Sequence, residues 1–350
     1  MFLCVCHLRF AGLQSLITLL TSPLLSLLTS PFSLRSPYSL FHPIYKTTTT
    51  TTNRYGYLGK LHNLPKEIKQ QYSQRDGHGA YSGADIGQAE LAYDPTTSAS
   101  VRAWDYSRTR FTLKQGDEDG GGNRYPGIDV VEPDYTKFVD DLYERQDVLG
   151  TALMIAMAEC LHLPPSTFSD MFRGGDFGTI RLLSYPETDG ETAEAANIGI
   201  SAHTDFEAFT LMHQDAAGLQ FVPAESSTGE WIDAPVFKGS FVVIVGDVLE
   251  RMTNGVLKAT PHRVVTTSHR RQSIIRFNAV TAETIVAPLD SFITKDRPSS
   301  YSSVTMKTHM ETTMKNLELG LGAWDEKTQQ SLTASYLYVN GKDWREMEKE

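Results

Sequence analysis

The sequence predicts a mainly β protein in which a closed or double-sheet antiparallel structure, a sandwich or jelly roll, is flanked by helices. Seven short strand-like stretches, separated by glycine, proline and polar turns, follow one another within about a hundred residues. Helical spacing of apolar residues precedes them and a second helical pattern follows. The predicted strands are Thr179–Tyr185, Ile198–His203, Phe209–His213, Leu219–Val222, Phe241–Val245, Val264–Thr267 and Ser273–Val280.

The first 63 residues differ in composition from the rest of the chain. They contain no aspartate or glutamate, and they are rich in leucine, serine and threonine. The apolar stretch from Ala11 to Leu28 is broken by Pro23, so stable membrane insertion is not predicted. An acid-free leader is typical of organelle targeting peptides, although an anchor or an unreliable start of the chain fits equally well. We expect a cytoplasmic protein, with organelle targeting through this leader as the alternative.

Three further regions follow the leader. Residues 64–175 are predicted as an N-terminal region of helices and loops, with a long amphipathic helix from Asp134 to His162 that ends before two prolines. Gln115–Gly127 combines acids with glycines and is interpreted as a solvated loop. Residues 176–285 form the predicted catalytic core. Residues 286–350 are predicted as a C-terminal helical region, with the helix at 302–321.

Composition limits the kind of partner that the protein can have. The chain has 350 residues, with 32 lysines and arginines against 42 aspartates and glutamates, and a net charge of −10. Such a charge repels phosphate backbones, so nucleic acid is not expected as a partner and a small-molecule substrate is. Three cysteines are too few for a disulfide scaffold, which argues for a reducing compartment.

A candidate metal site lies among the predicted strands. His203-Thr204-Asp205 ends one strand, and His262 lies beside a later one. Two imidazoles and one carboxylate on one face of a metal form the facial triad of non-heme Fe(II) oxygenases, which leaves coordination positions open. His213-Gln214-Asp215 is a second match to the same spacing. Position at the end of a strand favours His203, but spacing alone leaves both pairs open.

A pair of polar residues two positions apart could bind an acid beside this metal. Arg271 and Ser273 belong to one extended segment, so their side chains point to the same side of the sheet. A guanidinium grips a carboxylate through two hydrogen bonds, and a hydroxyl can fix its rotation. The pair would anchor a dicarboxylate whose other end chelates the metal. A surface arginine beside a strand serine remains the alternative.

Several motifs occur together in the order of a known family, and they run through the core as Arg181–Pro186, His203–Phe206, Gly218–Gln220, Lys258–Val264 and Arg271–Ser273. With these motifs the chain resembles the iron- and 2-oxoglutarate-dependent dioxygenases of the isopenicillin N synthase-like family. The resemblance implies a double-stranded β-helix, a form of jelly roll, flanked by helices. It also implies His203, Asp205 and His262 as Fe(II) ligands, in preference to His213 and His269. Arg271 and Ser273 would bind the distal carboxylate of 2-oxoglutarate, with Tyr185 as a third contact.

The resemblance implies an oxidoreductase that uses Fe(II), 2-oxoglutarate and dioxygen to hydroxylate or desaturate a small metabolite. Two other functions stay open. One is an oxidase that does not use 2-oxoglutarate, in which Arg271 and Ser273 hold a substrate carboxylate. The other is a catalytically degenerate, metal-binding relative. The chain departs from the family at Leu183, where many members have asparagine, and by lacking a recognisable Asn-His-Gly segment near its N-terminus.

Other residues near the motifs are given structural roles where the patterns allow. We expect Arg181 to brace the sheet rather than to bind a substrate acid. Phe206, Phe209 and Phe277 are interpreted as core residues more readily than as pocket lining. Glu207 could face either substrate or solvent.

Overall fold

The computed structural model describes residues 3–4, 48–75, 81–85, 101–107, 131, 135–172, 178–187, 198–224, 226, 229–237, 240–318, 324–325 and 330–331. Most of the predicted leader and the whole Gln115–Gly127 loop lie outside these residues. Within them, no helix combines the length and the apolar character that a membrane span requires.

Two antiparallel sheets make up the core. The larger has eight strands in the order β1-β10-β7-β12-β5-β4-β3-β2, and the smaller has four in the order β6-β11-β8-β9. All neighbouring strands are antiparallel except β1 and β10. The strands of the two sheets are β1 (Leu3–Cys4), β2 (Ser73–Arg75), β3 (Tyr81–Asp85), β4 (Arg102–Ser107), β5 (Thr179–Tyr185), β6 (Ile198–His203), β7 (Phe209–Gln214), β8 (Leu219–Phe221), β9 (Ile232–Asp233), β10 (Val242–Val245), β11 (His262–Val265) and β12 (Arg271–Asn278).

Short elements and helices surround the sheets. Two small hairpins pair β13 (Ile285–Val286) with β14 (Val304–Thr305) and β15 (Trp324–Asp325) with β16 (Gln330–Ser331). Single 3-10 turns lie at Asp170–Phe172 and Asp290–Phe292. The helices are α1 (Thr48–Asn63), α2 (Lys66–Gln71), α3 (Tyr135–Cys160), α4 (Ser166–Ser169), α5 (Asp247–Met252) and α6 (Met306–Glu318).

The candidate site residues of the large sheet point into the space between the two sheets. Strands β5, β7 and β12 of the large sheet are paired so that Leu183, Ser273 and Gln214 share one register position. Because side chains alternate along a strand, every second residue of β12 points to the same side as Ser273. Apolar residues of both sheets, among them Ile200, Met212, Leu219 and Val264, form a core cluster between them.

Helices cover the opposite face of the large sheet. The long helix α3 lies so close to β12 that a Cβ at Gly150 would stand 2.7 Å from the Asn278 side chain. Glycine therefore permits this approach. Leu58 and Leu61 of α1 are completely buried with α3 residues in a second core cluster. The domain boundary at residue 63 stays a prediction. Helix α1, which precedes this boundary, contributes apolar side chains to the core.

The seven strands predicted from the sequence each begin and end within two residues of an observed strand. β5 and β6 have the predicted bounds, and Asp134–His162 contains α3. The description of the stretch after Leu64 as loop-rich was wrong in part, since β2, β3 and β4 join the large sheet there. In β4, Ala103, Trp104, Asp105 and Tyr106 are all buried, so the strand lacks the alternation that predicts a half-exposed strand.

Candidate metal centre

His203 and His262 meet across the smaller sheet. They are Cα partners in the antiparallel pair formed by β6 and β11, and their ring centroids are 4.2 Å apart. Asp205 lies in the turn that follows β6. Its Oδ1 is 3.6 Å from Nε2 of His203 and 3.6 Å from Nε2 of His262. Sheet register thus brings two histidines that are distant in sequence to the same carboxylate oxygen.

Hydrogen bonds orient the two imidazoles. Nδ1 of His203 lies 2.8 Å from the Ser201 carbonyl oxygen, and Nδ1 of His262 lies 2.9 Å from that of Thr260. A carbonyl oxygen can only accept, so both Nδ1 atoms carry the proton. The Nε2 lone pairs then face Asp205 and are available as ligands. Fixing the tautomer of a ligating histidine through its second nitrogen is a common feature of metal sites.

A threonine fixes the carboxylate. The Thr210 hydroxyl, on β7, donates a short hydrogen bond to Oδ2 of Asp205. The other oxygen, Oδ1, is therefore the one that faces the histidines. Asp205 and Thr210 are both buried, which protects this hydrogen bond from competing water.

The electrostatics favour a neutral imidazole at His203. Burial first, and then the proximity of His262, hold the pKa of His203 well below its ordinary value. A neutral imidazole is the form that binds a metal. Burial and then the charge of Asp205 raise the pKa of the neighbouring Glu207 carboxyl to about 8.

The three ligand atoms form a group that a divalent cation can bridge. One atom from each of His203, Asp205 and His262 lies within 4.8 Å of the other two, and all three side chains are buried. Ligand atoms at bond lengths of about 2.1 Å from one ion lie roughly 3 to 4 Å apart. Two nitrogens and one carboxylate oxygen on one side leave the remaining positions of an octahedral ion open. The donor set fits Fe(II).

Arg271 lies on the inner face of the large sheet, whereas His203 and His262 belong to the small sheet. Its guanidinium carbon is 4.8 Å from the Tyr185 ring centroid, and its Nη2 donates to Oε1 of Gln214 at 2.9 Å. The side chain is 1% exposed, yet Nε and Nη1 have no hydrogen-bond partner among the described residues. An arginine buried with unused donors is costly unless an anion completes its hydrogen bonds.

Ser273 repeats this situation beside Arg271. It is fully buried, and its Oγ also has no hydrogen-bond partner in the described part of the chain. Tyr185 is the Cα partner of Arg271 across β5 and β12. The structure therefore brings Arg271, Ser273 and Tyr185 together. The unused donors of Arg271 and Ser273 fit one carboxylate group of a dicarboxylate.

A small cavity of about 20 Å³ lies between the sheets, beside the metal ligands and Tyr185. Its walls are mostly apolar, so a bound molecule would be held by few polar groups. The lining residues are Arg181, Leu183, Tyr185, Ile200, His203, Asp205, Thr210, Met212, His262, Val264, Ile275 and Phe277.

The alternative histidines lie elsewhere. His213 has its Nδ1 at hydrogen-bond distance from the Tyr55 hydroxyl of α1, and its ring packs against Phe241. Since it alternates with Thr210 and Met212 along β7, it points to the opposite side of the sheet from the cavity. His269 is exposed in a turn. Neither histidine joins the metal-ligand group.

The remaining candidates divide between core and cavity. Arg181 forms two hydrogen bonds of 2.8 Å with Asp105, as expected of a brace, although it also lines the cavity. Phe209 is a buried core residue, whereas Phe277 lines the cavity. Glu207 is 8% exposed and thus faces the protein interior more than solvent.

Sequence reasoning missed two residues that support the site. Thr210 holds Asp205, and Gln214 holds Arg271. Thr210 and Gln214 share one face of β7 with Met212, a pattern that marks them only as residues of a strand. The contact of Thr210 spans five residues across the turn after β6, whereas that of Gln214 depends on the pairing of β7 with β12, which local sequence does not encode.

Comparison with known proteins agrees with this geometry. Residues 178–279 match the 2OG-Fe(II) oxygenase superfamily. A homoarginine-6-hydroxylase, 2-ODD-C23, from Glycine max is 31% identical over 183 residues, which cover 50% of this chain and 53% of the relative. The 2-oxoglutarate-Fe(II) type oxidoreductase hxnY of Emericella nidulans is 33% identical over 160 residues and 45% of each chain. This chain thus spans about half the length of these curated relatives.

Solved structures confirm the fold class. Full-length Neurospora crassa T7H in complex with alpha-KG superposes with a TM-score of 0.65 at 20% identity, over 81% of this chain and 90% of that one. A putative 2OG-Fe(II) oxygenase family protein from Caulobacter crescentus has a TM-score of 0.62 at 23% identity, over 78% and 87%. The predicted jelly roll flanked by helices is therefore correct. Residues 178–279 therefore form a domain that matches the 2OG-Fe(II) oxygenase superfamily.

Proposed function

We propose that this protein is an Fe(II)- and 2-oxoglutarate-dependent dioxygenase that hydroxylates or desaturates a small metabolite. His203, Asp205 and His262 would hold the iron. Arg271, Ser273 and Tyr185 would hold the distal carboxylate of 2-oxoglutarate. Bound together, iron and cosubstrate supply the oxidation of a C–H bond by dioxygen, coupled to conversion of 2-oxoglutarate into succinate and carbon dioxide.

The observation that carries this proposal is the set of unused donors behind the metal ligands. Nε and Nη1 of Arg271 and Oγ of Ser273 are buried on the inner face, without hydrogen-bond partners in the described structure. Desolvating these groups costs about 1–3 kcal/mol each if nothing binds them, and more for a charged group. A carboxylate would satisfy the arginine and the serine at once.

The residues of the chain have separate tasks in this proposal. The neutral imidazoles and Asp205 bind on one side of the metal and leave the rest of its coordination sphere open. Arg271 and Ser273 orient the cosubstrate along the barrel. Apolar cavity residues such as Ile275 and Phe277 exclude water from the reacting C–H bond. The net charge of −10 supports a small-molecule substrate rather than a nucleic acid.

The direct test is the cosubstrate requirement of the purified, iron-loaded protein. We expect succinate to form only when both dioxygen and 2-oxoglutarate are present. Homoarginine and thymine are reasonable first substrates, because one relative is named a homoarginine-6-hydroxylase and T7H was solved in complex with thymine. Oxygen consumption without succinate would instead identify an oxidase that does not need 2-oxoglutarate.

Anaerobic titration separates binding from turnover. Adding 2-oxoglutarate to the Fe(II)-loaded protein should produce a metal-to-ligand charge-transfer band, because a 2-oxo acid chelates the metal. The Asp205→Ala variant serves as the control and should show no band. A protein that binds Fe(II) but produces no band and no succinate would be the degenerate, metal-binding relative.

A further inference from the structure

The turn that carries Asp205 is held by backbone donors from α5. The amides of Asp247 and Val248 donate to the carbonyls of Asp205 and Glu207 at 2.9 and 3.2 Å. The amide of Gly246 donates to the carbonyl of Ala208 at 2.9 Å. Since these donors are main-chain groups, they persist when side chains are changed.

The carbonyl of Phe206, in the middle of this turn, receives a side-chain donor from a distant part of the chain. Nε2 of His309, on α6, lies 2.7 Å from the Phe206 oxygen. A carbonyl only accepts, so Nε2 carries the proton and donates. His309 is completely buried, and burial is the first cause that lowers its pKa to about 4. The ring is therefore neutral at pH 7 and keeps this donor role.

This hydrogen bond joins α6 to the residue that directly follows a metal ligand. Among residues 306–314 of α6, the buried side chains are Met306, His309, Thr312 and Thr313, and Met306 and the partly buried Met310 contact the core cluster that contains Phe209. Three of these four buried side chains are polar, so the described part of the helix is docked by polar as well as apolar contacts. A directional contact with the turn is a second source of positional precision.

We propose that His309 is a positioning residue, which fixes the Asp205 carboxylate through the Phe206 carbonyl and so couples docking of α6 to metal affinity. The inference rests on the metal site proposed above. Hydrogen bonds made directly to a ligating side chain typically change metal affinity by about 10- to 100-fold, and we expect a contact with the carbonyl of the next residue to act at the lower end of that range. Because coupling is reciprocal, metal binding must also strengthen the docking of α6.

The first experiment compares two substitutions at one position. His309→Gln retains a side-chain N–H that can reach the carbonyl, whereas His309→Leu keeps an apolar volume without a donor. We expect His309→Leu to weaken Co(II) or Mn(II) binding about 10-fold or more, measured calorimetrically without dioxygen or 2-oxoglutarate. His309→Gln should remain within about 3-fold of the wild type, as a directional donor role requires.

His62→Leu is the matched control. His62 is also a buried helical histidine, 1% exposed, and the charged groups that act on it are Lys69, Arg270 and Arg102 rather than metal ligands. This variant should lose stability but keep the wild-type metal affinity. Wild-type affinity in His309→Leu, or equal losses in His309→Leu and His309→Gln, would overturn the positioning role.

The reciprocal measurement needs no variant and therefore does not depend on how His309→Leu folds. Amide hydrogen exchange in α6 should slow when Co(II) or Mn(II) is added to the wild-type protein. Metal binding that leaves the exchange of α6 unchanged would contradict the coupling while leaving the metal site intact. A wild-type protein that binds no divalent metal would instead refute the metal site itself, and the positioning role with it.

Discussion

His203 and His262 are Cα partners across β6 and β11, and this pairing places their rings 4.2 Å apart. Each ring is turned by a hydrogen bond to a carbonyl two residues earlier in its own chain segment. Both histidines are thus oriented in the same way, each by a hydrogen bond within its own chain segment, and the pairing of β6 with β11 places them opposite one another. Substitutions at either histidine should affect the metal and leave most of the fold intact.

Replacing one metal ligand should abolish useful iron binding. We expect His203→Ala to weaken Fe(II) affinity by roughly 100-fold or more, because loss of a ligand exceeds the effect of an outer contact. Isothermal titration under anaerobic conditions measures the change. His213→Ala is the control, since His213 contacts Tyr55 and Phe241 outside the cavity. Equal loss in both variants would contradict the choice of His203 and Asp205 over His213 and Asp215 as metal ligands.

Thr210 provides a finer test of the same centre. Thr210→Val keeps the shape of the side chain but removes the donor to Oδ2 of Asp205. We expect metal affinity to fall by about 10- to 100-fold, and the melting temperature of the metal-free protein to fall as well, because a buried carboxylate oxygen loses its donor. Thr210→Ser retains the hydroxyl and should bind metal nearly as the wild type does. A silent Thr210→Val variant would show that this hydrogen bond does not orient Asp205.

Arg271 should control cosubstrate binding without controlling iron. We expect Arg271→Ala to raise the dissociation constant of 2-oxoglutarate by about 10- to 150-fold, the loss of one or more hydrogen bonds to a charged group. The charge-transfer band reports this constant directly. Arg270→Ala is the matched control, because Arg270 is exposed and bonds to Ser184 on the outer side of the sheet. A comparable effect of Arg270→Ala would argue for general electrostatics instead.

The sequence predicted the grouping of His203, Asp205 and His262 better than the residues that support this group, and the cosubstrate anchor stays a prediction. His203, Asp205 and Arg271 belong to short motifs whose spacing and order are informative. Thr210 acts across the turn between β6 and β7, Gln214 acts between two strands, and His309 acts between a helix and a turn. Those contacts depend on register and docking, which local patterns do not encode.

The same distinction explains the fold. Strands with a clear pattern of apolar residues and turn signals, such as β5 and β6, were predicted with their observed bounds. β4 was missed because both of its faces are buried, and Asp105 is paired with Arg181 instead of facing solvent. A charged residue on a buried strand contradicts the usual alternation, so only the tertiary partner identifies the strand.

His62 should make folding stability depend on pH. Burial is the first cause that lowers its pKa to about 3, whereas the unfolded chain has an ordinary histidine pKa of 6.5. Between these values the unfolded state binds more protons, so stability is complete above about pH 6.5 and falls as the pH decreases. The expected loss from pH 7 to pH 5 is about 2 kcal/mol.

Urea denaturation of the metal-free protein at both pH values measures this contribution. The His62→Leu variant is the comparison, because it lacks the titrating group and should lose about 2 kcal/mol less than the wild type over the same interval. Other groups titrate equally in both proteins, so the difference isolates His62. Identical pH dependence in the two proteins would mean that the pKa of His62 is the same in the folded and unfolded states, contrary to the proposed effect of burial.

Two glycines give opposite predictions for stability. Gly56 lies within α1, and a Cβ there would meet no atom within 4 Å. Gly56→Ala should raise the free energy of unfolding by about 0.5–1 kcal/mol, because alanine favours helix. Gly218 has a φ of +129°, and a Cβ there would lie 2.8 Å from the Val265 carbonyl oxygen. Gly218→Ala should therefore destabilise the protein by about 1–3 kcal/mol.

The two variants also test different parts of the molecule. Stabilisation by Gly56→Ala requires that residues near 56 are helical in the folded protein, so no change or a loss would contradict α1. A Cβ at Gly218 would also lie 3.2 Å from Cδ of Arg271. Gly218→Ala should consequently weaken 2-oxoglutarate binding more than Fe(II) binding, which calorimetry with each ligand can separate. Equal weakening of both would indicate general loss of structure instead of displacement of Arg271.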